Sequence, residues 1–295
     1  MMTGGVLVSV GLPTYNRLNT LKRAIESVLT QDYHHLELVI SDDESTDGTR
    51  AYCEDLARRD SRVRYIRQSK RLGLVRNYSE VMNQSRGEWY MVLGDDDWID
   101  PGYISRCLRT ALSQSELIMV CGLPRLYRGT QLVGHGAKTN LLQASGSARV
   151  ASYYRHVSDN AVFHGMVRRS TLALVPPMQN HKSSDLPYVA SIAFMGKIKT
   201  VEDVCFNKSA GVSSGGWHSI RKAMNLSTFD ARFPGVRLFV SAFSDIAWAS
   251  PVYSSLGWFG RLFLAFRVAF IMVMRYPTHM LLKLVRLAPQ ARYGS

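Results

Sequence analysis

Apolar residues in the first third of the chain fall into short blocks separated by amphipathic stretches. Residues 6–12 form a nearly continuous apolar run closed by Pro13, the pattern of a strand buried on both faces. Leu21, Ile25, Val28 and Leu29 follow at helical spacing, with Asn16 or Asn19 available as the cap. Residues 36–41, 63–67 and 89–93 read as further strands. Residues 47–59 read as a helix, as does the stretch after Gly73, where Leu74, Tyr78, Val81 and Met82 share one side. Repeated strand–helix units of this length predict an α/β domain with a doubly wound, mostly parallel sheet flanked by helices.

The pattern then becomes mixed. Residues 102–113, 148–156 and 185–195 are predicted helical, and 116–122 and 163–168 are predicted strands. The Gly-, Ser- and Thr-rich stretch 122–147 is expected to be a loop region over the site, and 209–220 a lid. From about residue 226 the character shifts again. Residues 262–274 are apolar except for Arg267, and Arg261, Arg267, Arg275, Lys283 and Arg286 fall within an arc of roughly 160° on a helix. Pro277 is expected to kink that helix. The run is short of the roughly 20 residues that a membrane span needs, and an in-plane amphipathic helix suits it better. The expected division is residues 1–222 as the catalytic-type domain and 223–295 as a helical, basic-amphipathic extension. That extension would associate with a membrane or form a homo-oligomer contact.

Composition adjusts this picture. Of 295 residues 46% are hydrophobic and 20% charged, so the chain can build a packed core. The net charge of +13 implies an anionic partner. No acidic residue follows Asp245, so positive charge concentrates where the chain is most apolar. This favours an anionic membrane surface over nucleic acid, and no nucleic-acid partner is expected. Cys53, Cys107, Cys121 and Cys205 lie far apart without a C-x-x-C pair, which argues against a zinc site or a disulfide framework and fits a reducing compartment. Residues 1–5 lack the features of a signal peptide. The expected location is cytoplasmic, peripheral at the inner face of the plasma membrane.

The candidate chemistry lies at predicted strand ends. Residues 89–97 run from an apolar strand through Gly94 into Asp95, Asp96 and Asp97. Three adjacent carboxylates repel one another and call for a cation, and a hard divalent ion such as Mg²⁺ or Mn²⁺ is suited to them. The alternative is a solvated acidic turn with a helix cap at Asp100. The strand at 36–41 ends in Asp42 and Asp43, suited either to a base or ribose or to capping a helix through Thr46 or Asp47. Tyr15, just after the first strand, offers either a base-stacking face or core packing.

These segments together resemble the inverting family 2 glycosyltransferases, which have the GT-A fold. The resemblance rests on 8–17 (V-S-V-G-L-P-T-Y-N-R), 29–33 (L-T-Q-D-Y), 36–49 (L-E-L-V-I-S-D-D-E-S-T-D-G-T) and 73–101 (G-L-V-R-N-Y through G-E-W-Y-M-V-L-G-D-D-D-W-I-D-P). It is strong over 6–110, thinner over 160–210 and essentially absent beyond 220. It implies a nucleoside-diphosphate-sugar donor, a glycan or lipid-linked acceptor, Mn²⁺ or Mg²⁺ as cofactor, and a role in cell-surface polysaccharide synthesis. By the same resemblance, Pro13 and Tyr15 line the base, Asp43 with Asp42 beside it faces the base, and Arg76 lies near the donor. Asp95 serves ribose or metal, and Asp96 and Asp97 serve the metal. Asp185 is the general base, with Glu202 and Asp203 as fallbacks. His218 is the candidate lid contact to the diphosphate, with Trp217 toward the acceptor. The chain has Gly94-Asp95-Asp96-Asp97 where Asp-x-Asp-Asp is more usual, and Ser184 precedes Asp185 where Glu or Gly is more usual. The competing readings are a sugar-phosphate nucleotidylyltransferase, which would need a Gly-rich basic loop after the first strand, and a non-catalytic membrane or nucleic-acid binding protein.

Overall fold

A computed structural model describes residues 5–181, 183–209 and 233–286. The first third is built as its periodicity predicts: β1 (Val8–Thr14), α1 (Leu18–Leu29), β2 (Leu36–Asp42), α2 (Thr49–Arg59), β3 (Val63–Arg67), α3 (Leu74–Gln84) and β4 (Trp89–Val92). These strands pair in parallel in the order β3-β2-β1-β4. Right-handed βα units of this kind bring the carboxyl ends of β1, β2 and β4 to one edge.

Beyond β4 the sheet is mixed. Its remaining elements are β5 (Trp98–Ile99), α4 (Tyr103–Ser113), β6 (Leu117–Arg128), β7 (Gln131–His135), α5 (Gly146–His156), a 3-10 turn (Ala161–His164), β8 (Met166–Arg168), α6 (Arg169–Leu172), α7 (Asp185–Met195) and β9 (Lys197–Ser209). The short β8 is antiparallel to both β4 and β6, and β5 is antiparallel to β9, whereas β6 and β9 run parallel. The sheet is therefore less uniformly parallel than the repeated units imply.

Two local expectations are corrected. Residues 122–135 are not loop: β6 continues to Arg128 and turns into β7, because the 13-residue β9 pairs along it as far as Ser209. Long-range pairing overrides a Gly-, Ser- and Thr-rich composition here. Residues 163–168 are also not one strand, since a 3-10 turn at Ala161–His164 precedes the three-residue β8.

One core lies between the sheet and α1 and α4, with Leu21, Ile25, Tyr103 and Ile104 almost fully buried. The other joins the opposite face to α5, α7 and the C-terminal helices α8 (Pro234–Ser244) and α9 (Gly257–Arg286). Neither Asn16 nor Asn19 caps α1. Its first N–H, from Leu18, is instead bonded by Asp47 Oδ2 at 2.9 Å, and Asp47 Oδ1 also accepts the Thr49 N–H at the start of α2. Burial alone would raise the Asp47 pKa, but these bonds pull it below its usual value.

The C-terminal helix differs from its expectation. It runs through Pro277 as one helix. Leu264, Ala265, Val268, Ile271 and Met272 pack inward. Two arginines of the predicted basic arc also turn inward. Arg261 bonds the carbonyls of Ile246 and Ser250, and Arg275 bonds those of Tyr154 and Val157. Unsatisfied carbonyls at the ends of neighbouring elements take these guanidiniums. The outward face is left to Phe259, Phe263, Phe266, Phe270 and Val273, with Arg267 among them.

Candidate active site

The acidic triplet sits where β4 leaves the sheet, and all three residues are less than a tenth exposed. The turn closes through the Asp97 N–H to the Gly94 carbonyl at 3.1 Å. A Cβ at Gly94 would lie 2.7 Å from Asp97 Oδ2, so a larger residue there would displace that carboxylate from its place over the turn. Asp95 accepts from Thr14 Oγ1 at 2.9 Å and from Arg17 at 3.1 Å. The same Arg17 nitrogen reaches Asp96 Oδ2 at 3.2 Å. Asp97 Oδ1 accepts the Ser209 N–H at 2.8 Å. Arg23 bonds the Asp96 carbonyl at 2.8 Å and lies 3.6 Å over the Trp98 ring.

These contacts leave the cluster short of positive charge. Burial first, and then repulsion from Asp96, raise Asp97 to about 7. Burial likewise raises Asp95 to about 6, against the attraction of Arg17. A buried set of hard oxygen donors with excess negative charge fits a divalent ion of the Mg²⁺ or Mn²⁺ kind. Among the described residues no three His, Cys, Asp or Glu side chains form a ready-made ligand cluster.

The β1 and β2 ends form the neighbouring wall. Pro13 is buried in β1 opposite Ser41, and Tyr15 is half-buried with the Arg71 guanidinium 3.9 Å over its ring. Asp42 and Asp43 divide their work. Asp42 points inward, fully buried, and accepts from Tyr65 Oη at 2.6 Å, Arg67 at 3.2 Å and the Ser45 N–H. It holds the edge of the sheet. Asp43 accepts the N–H groups of Leu72 (2.5 Å) and Gly73 (3.0 Å), fixing the loop that carries Arg71. Arg76 is exposed on the first turn of α3.

Asp185 is the first residue of α7, half-buried, with Oδ2 bonded by Asn160 Nδ2 at 2.6 Å. The 3-10 turn after Asn160 lies against both α7 and β4. Its His164 bonds the Val92 carbonyl through Nδ1 at 3.0 Å and stacks on Phe206. Burial holds His164 neutral, with its pKa lowered to about 3, so the ring donates to that carbonyl without carrying charge. Phe163 meets Tyr188 of α7 edge to face. One short segment thus ties the base candidate to the strand that bears the triplet.

The fallback carboxylates are on the surface. Glu202 pairs with Lys138 at 2.6 Å and Asp203 with Arg106 at 3.2 Å. Both lie in the bulge of β9 between Val201 and Cys205, on the stretch of the strand before the segment that carries Ser209, the residue that reaches Asp97. His218 and Trp217 fall outside the described residues. Sequence reasoning missed Arg17, Thr14, Arg71 and Asn160. Arg17 and Thr14 stood inside a quoted motif, but their partners are about 80 residues away in sequence.

The family model described as glycosyl transferase family 2 matches residues 9–173, more than half of the chain. The GalNAc(5)-diNAcBac-PP-undecaprenol beta-1,3-glucosyltransferase of Campylobacter jejuni is 35% identical over 105 residues, which are 35% of this chain and 34% of that protein. The chain also spans less than half the length of other leading curated relatives. Among solved structures, Staphylococcus aureus TarS 1–349 in complex with UDP-GlcNAc aligns with a TM-score of 0.60 at 15% identity. That alignment covers 88% of this chain and 73% of that one. A mannosyltransferase, PcManGT from Pyrobaculum calidifontis in complex with GDP-Man and Mn²⁺, aligns with a TM-score of 0.55 at 15% identity, over 96% of this chain and 80% of that one. At such identities the likeness is one of fold, and the fold is GT-A.

Proposed function

The chain belongs to glycosyl transferase family 2, and we propose that it transfers a sugar, with inversion, from a nucleoside diphosphate to a hydroxyl of a glycan or lipid-linked acceptor. The observation that carries this reading is the buried Asp95–Asp96–Asp97 turn, on the same sheet edge as Tyr15, Arg71 and Asp43. The stacked Tyr15–Arg71 pair and the loop held by Asp43 form a wall suited to a nucleobase. Asp95, Asp96 and Asp97 stand where the diphosphate and its ion would lie, with Asp96 and Asp97 as ligands. When bound, a divalent ion there supplies Lewis-acid stabilisation of the departing diphosphate.

Asp185 takes the proton of the acceptor hydroxyl as its oxygen attacks the anomeric carbon and the bond to the nucleoside diphosphate breaks. One carboxylate oxygen is held by Asn160, which leaves the other for the acceptor. A nucleotidylyltransferase would need a Gly-rich basic loop after β1, and Pro13-Thr14-Tyr15-Asn16 is not one.

The experiment is a calorimetric titration with UDP-, GDP- and dTDP-sugars, each with and without Mn²⁺. One nucleotide series should bind at least tenfold more tightly with the ion. A folded protein that binds none of the panel overturns the proposal.

A peripheral location at the inner membrane surface is supported by the C-terminal face. Phe259 is 86% and Phe263 71% exposed, and positions 259, 263, 266, 270 and 273 repeat at intervals of four and three, one stripe of a helix. Phe243 joins the exposed Trp248 to Phe266 of the stripe, and Arg267 adds positive charge in a segment with no acid after Asp245. The stretch Pro251–Arg275 is apolar and long enough to cross a membrane by length and composition, but its inner side packs on the protein. Lying in the plane of an anionic inner leaflet, with the aromatic stripe in the headgroup region, satisfies both faces. The protein should sediment with phosphatidylglycerol vesicles, and Phe263→Asp with Phe266→Asp should reduce binding at least tenfold. Unchanged binding in that variant, or a stable dimer that hides the stripe, rejects this placement.

A further inference from the structure

We infer that Asn160 is the residue that positions Asp185 for proton abstraction, within a relay that starts at Tyr153. The inference rests on Asp185 being the general base. Tyr153 Oη donates to Asn160 Oδ1 at 2.5 Å, and Asn160 Nδ2 donates to Asp185 Oδ2 at 2.6 Å. A carboxylate only accepts, so it fixes which way the amide of Asn160 points, and the hydroxyl of Tyr153 completes that orientation. Tyr153 is almost fully buried on α5 and packs edge to face on Tyr154. Its position does not depend on substrate.

The backbone around Asn160 is held for this task. Asn160 has φ 50°, a left-handed conformation that asparagine tolerates better than most residues. On one side Asp159 accepts the N–H groups of Ala137 and Ala161, at 3.2 and 2.8 Å. Lys208 Nζ bonds the Asp159 carbonyl at 3.0 Å. On the other side the Asn160 carbonyl accepts the Phe163 N–H and opens the turn whose His164 reaches β4. An otherwise unfavourable backbone conformation is thus clamped at its neighbours, and it aims one amide at one carboxylate.

A single hydrogen bond leaves a side chain on the first turn of a helix free to rotate if that bond is lost. Asp185 Oδ2 has Asn160 as its hydrogen-bond partner among the described residues, and no other side chain there holds the carboxylate. Turning by about 1 Å would remove Oδ1 from reach of the acceptor, a displacement that can cost on the order of 100-fold in rate.

The test compares Asn160→Gly, Tyr153→Phe, Asp185→Asn and the double variant Asn160→Gly with Asp185→Asn, in steady-state transfer and in donor titrations. Glycine removes the amide donor without adding charge beside Asp185 and adopts the left-handed φ of this position, and thermal unfolding checks the fold of each variant. We expect Asn160→Gly to lower kcat by about 10- to 100-fold with donor affinity unchanged, and Tyr153→Phe to lower it a few-fold. In the Asp185→Asn background, Asn160→Gly should have no further effect on kcat, because the positioned base is already lost. A folded Asn160→Gly variant with wild-type kcat overturns the inference, as does an additive loss in the double variant. A fully active Asp185→Asn variant overturns the base assignment itself, so the two failures are told apart.

Discussion

Asp96→Ala should abolish transfer, lowering kcat/KM about a thousandfold or more and removing the ion dependence of donor binding. Ion stabilisation of a leaving diphosphate is worth several kcal/mol, and each 1.36 kcal/mol is a factor of ten in rate. Asp96 is the central member of the triplet, bridged by Arg17 to Asp95 and raising Asp97 by repulsion. The fold should survive the change. Deleting one of three crowded carboxylates relieves repulsion, so the thermal midpoint should stay level or rise, as often happens when an active-site charge is removed. Turnover with Mn²⁺ and calorimetry with the preferred donor provide the readout. A variant that keeps more than a tenth of wild-type kcat/KM would remove Asp96 from the metal site.

Asp185→Asn should behave differently. The amide is nearly isosteric, and its oxygen still accepts from Asn160, but it cannot take a proton. General-base catalysis contributes about 10²–10⁴ in rate. That is the expected loss in kcat, with donor affinity close to wild type. Asp96→Ala removes the ion-dependent part of donor binding as well as turnover, whereas Asp185→Asn removes turnover alone. Chromatographic measurement of product beside a donor titration separates them. Wild-type kcat in Asp185→Asn would shift the search to another acceptor-side base.

Much of this architecture was legible in the chain. Short continuous apolar runs and period-3.6 patterns placed β1 to β4 and α1 to α3 with small shifts at their ends. The acidic clusters were found because they directly follow apolar strands, which in an open α/β sheet locates them at the ligand-binding edge. The later elements were harder to read. The run at 122–147 had loop composition, and only pairing with β9 made its first part a strand and hairpin.

Local spacing by itself determined the elements of the first third, the carboxylates at the ends of β2 and β4, and the amphipathic character of the last helix. Each of these is a property of neighbours in sequence. The division of labour among similar side chains was decided only in three dimensions. Asp42 turns inward to Tyr65 and Arg67 while its neighbour Asp43 holds the Arg71 loop. Arg17 crosses to Asp95 and Asp96, and Arg261 and Arg275 leave the outer face of α9 to bond carbonyls elsewhere. Asn160 meets Asp185 from 25 residues away. Periodicity fixes which face a residue occupies, but a charged or hydrogen-bonding group takes whichever partner the packing of distant segments brings within about 3 Å.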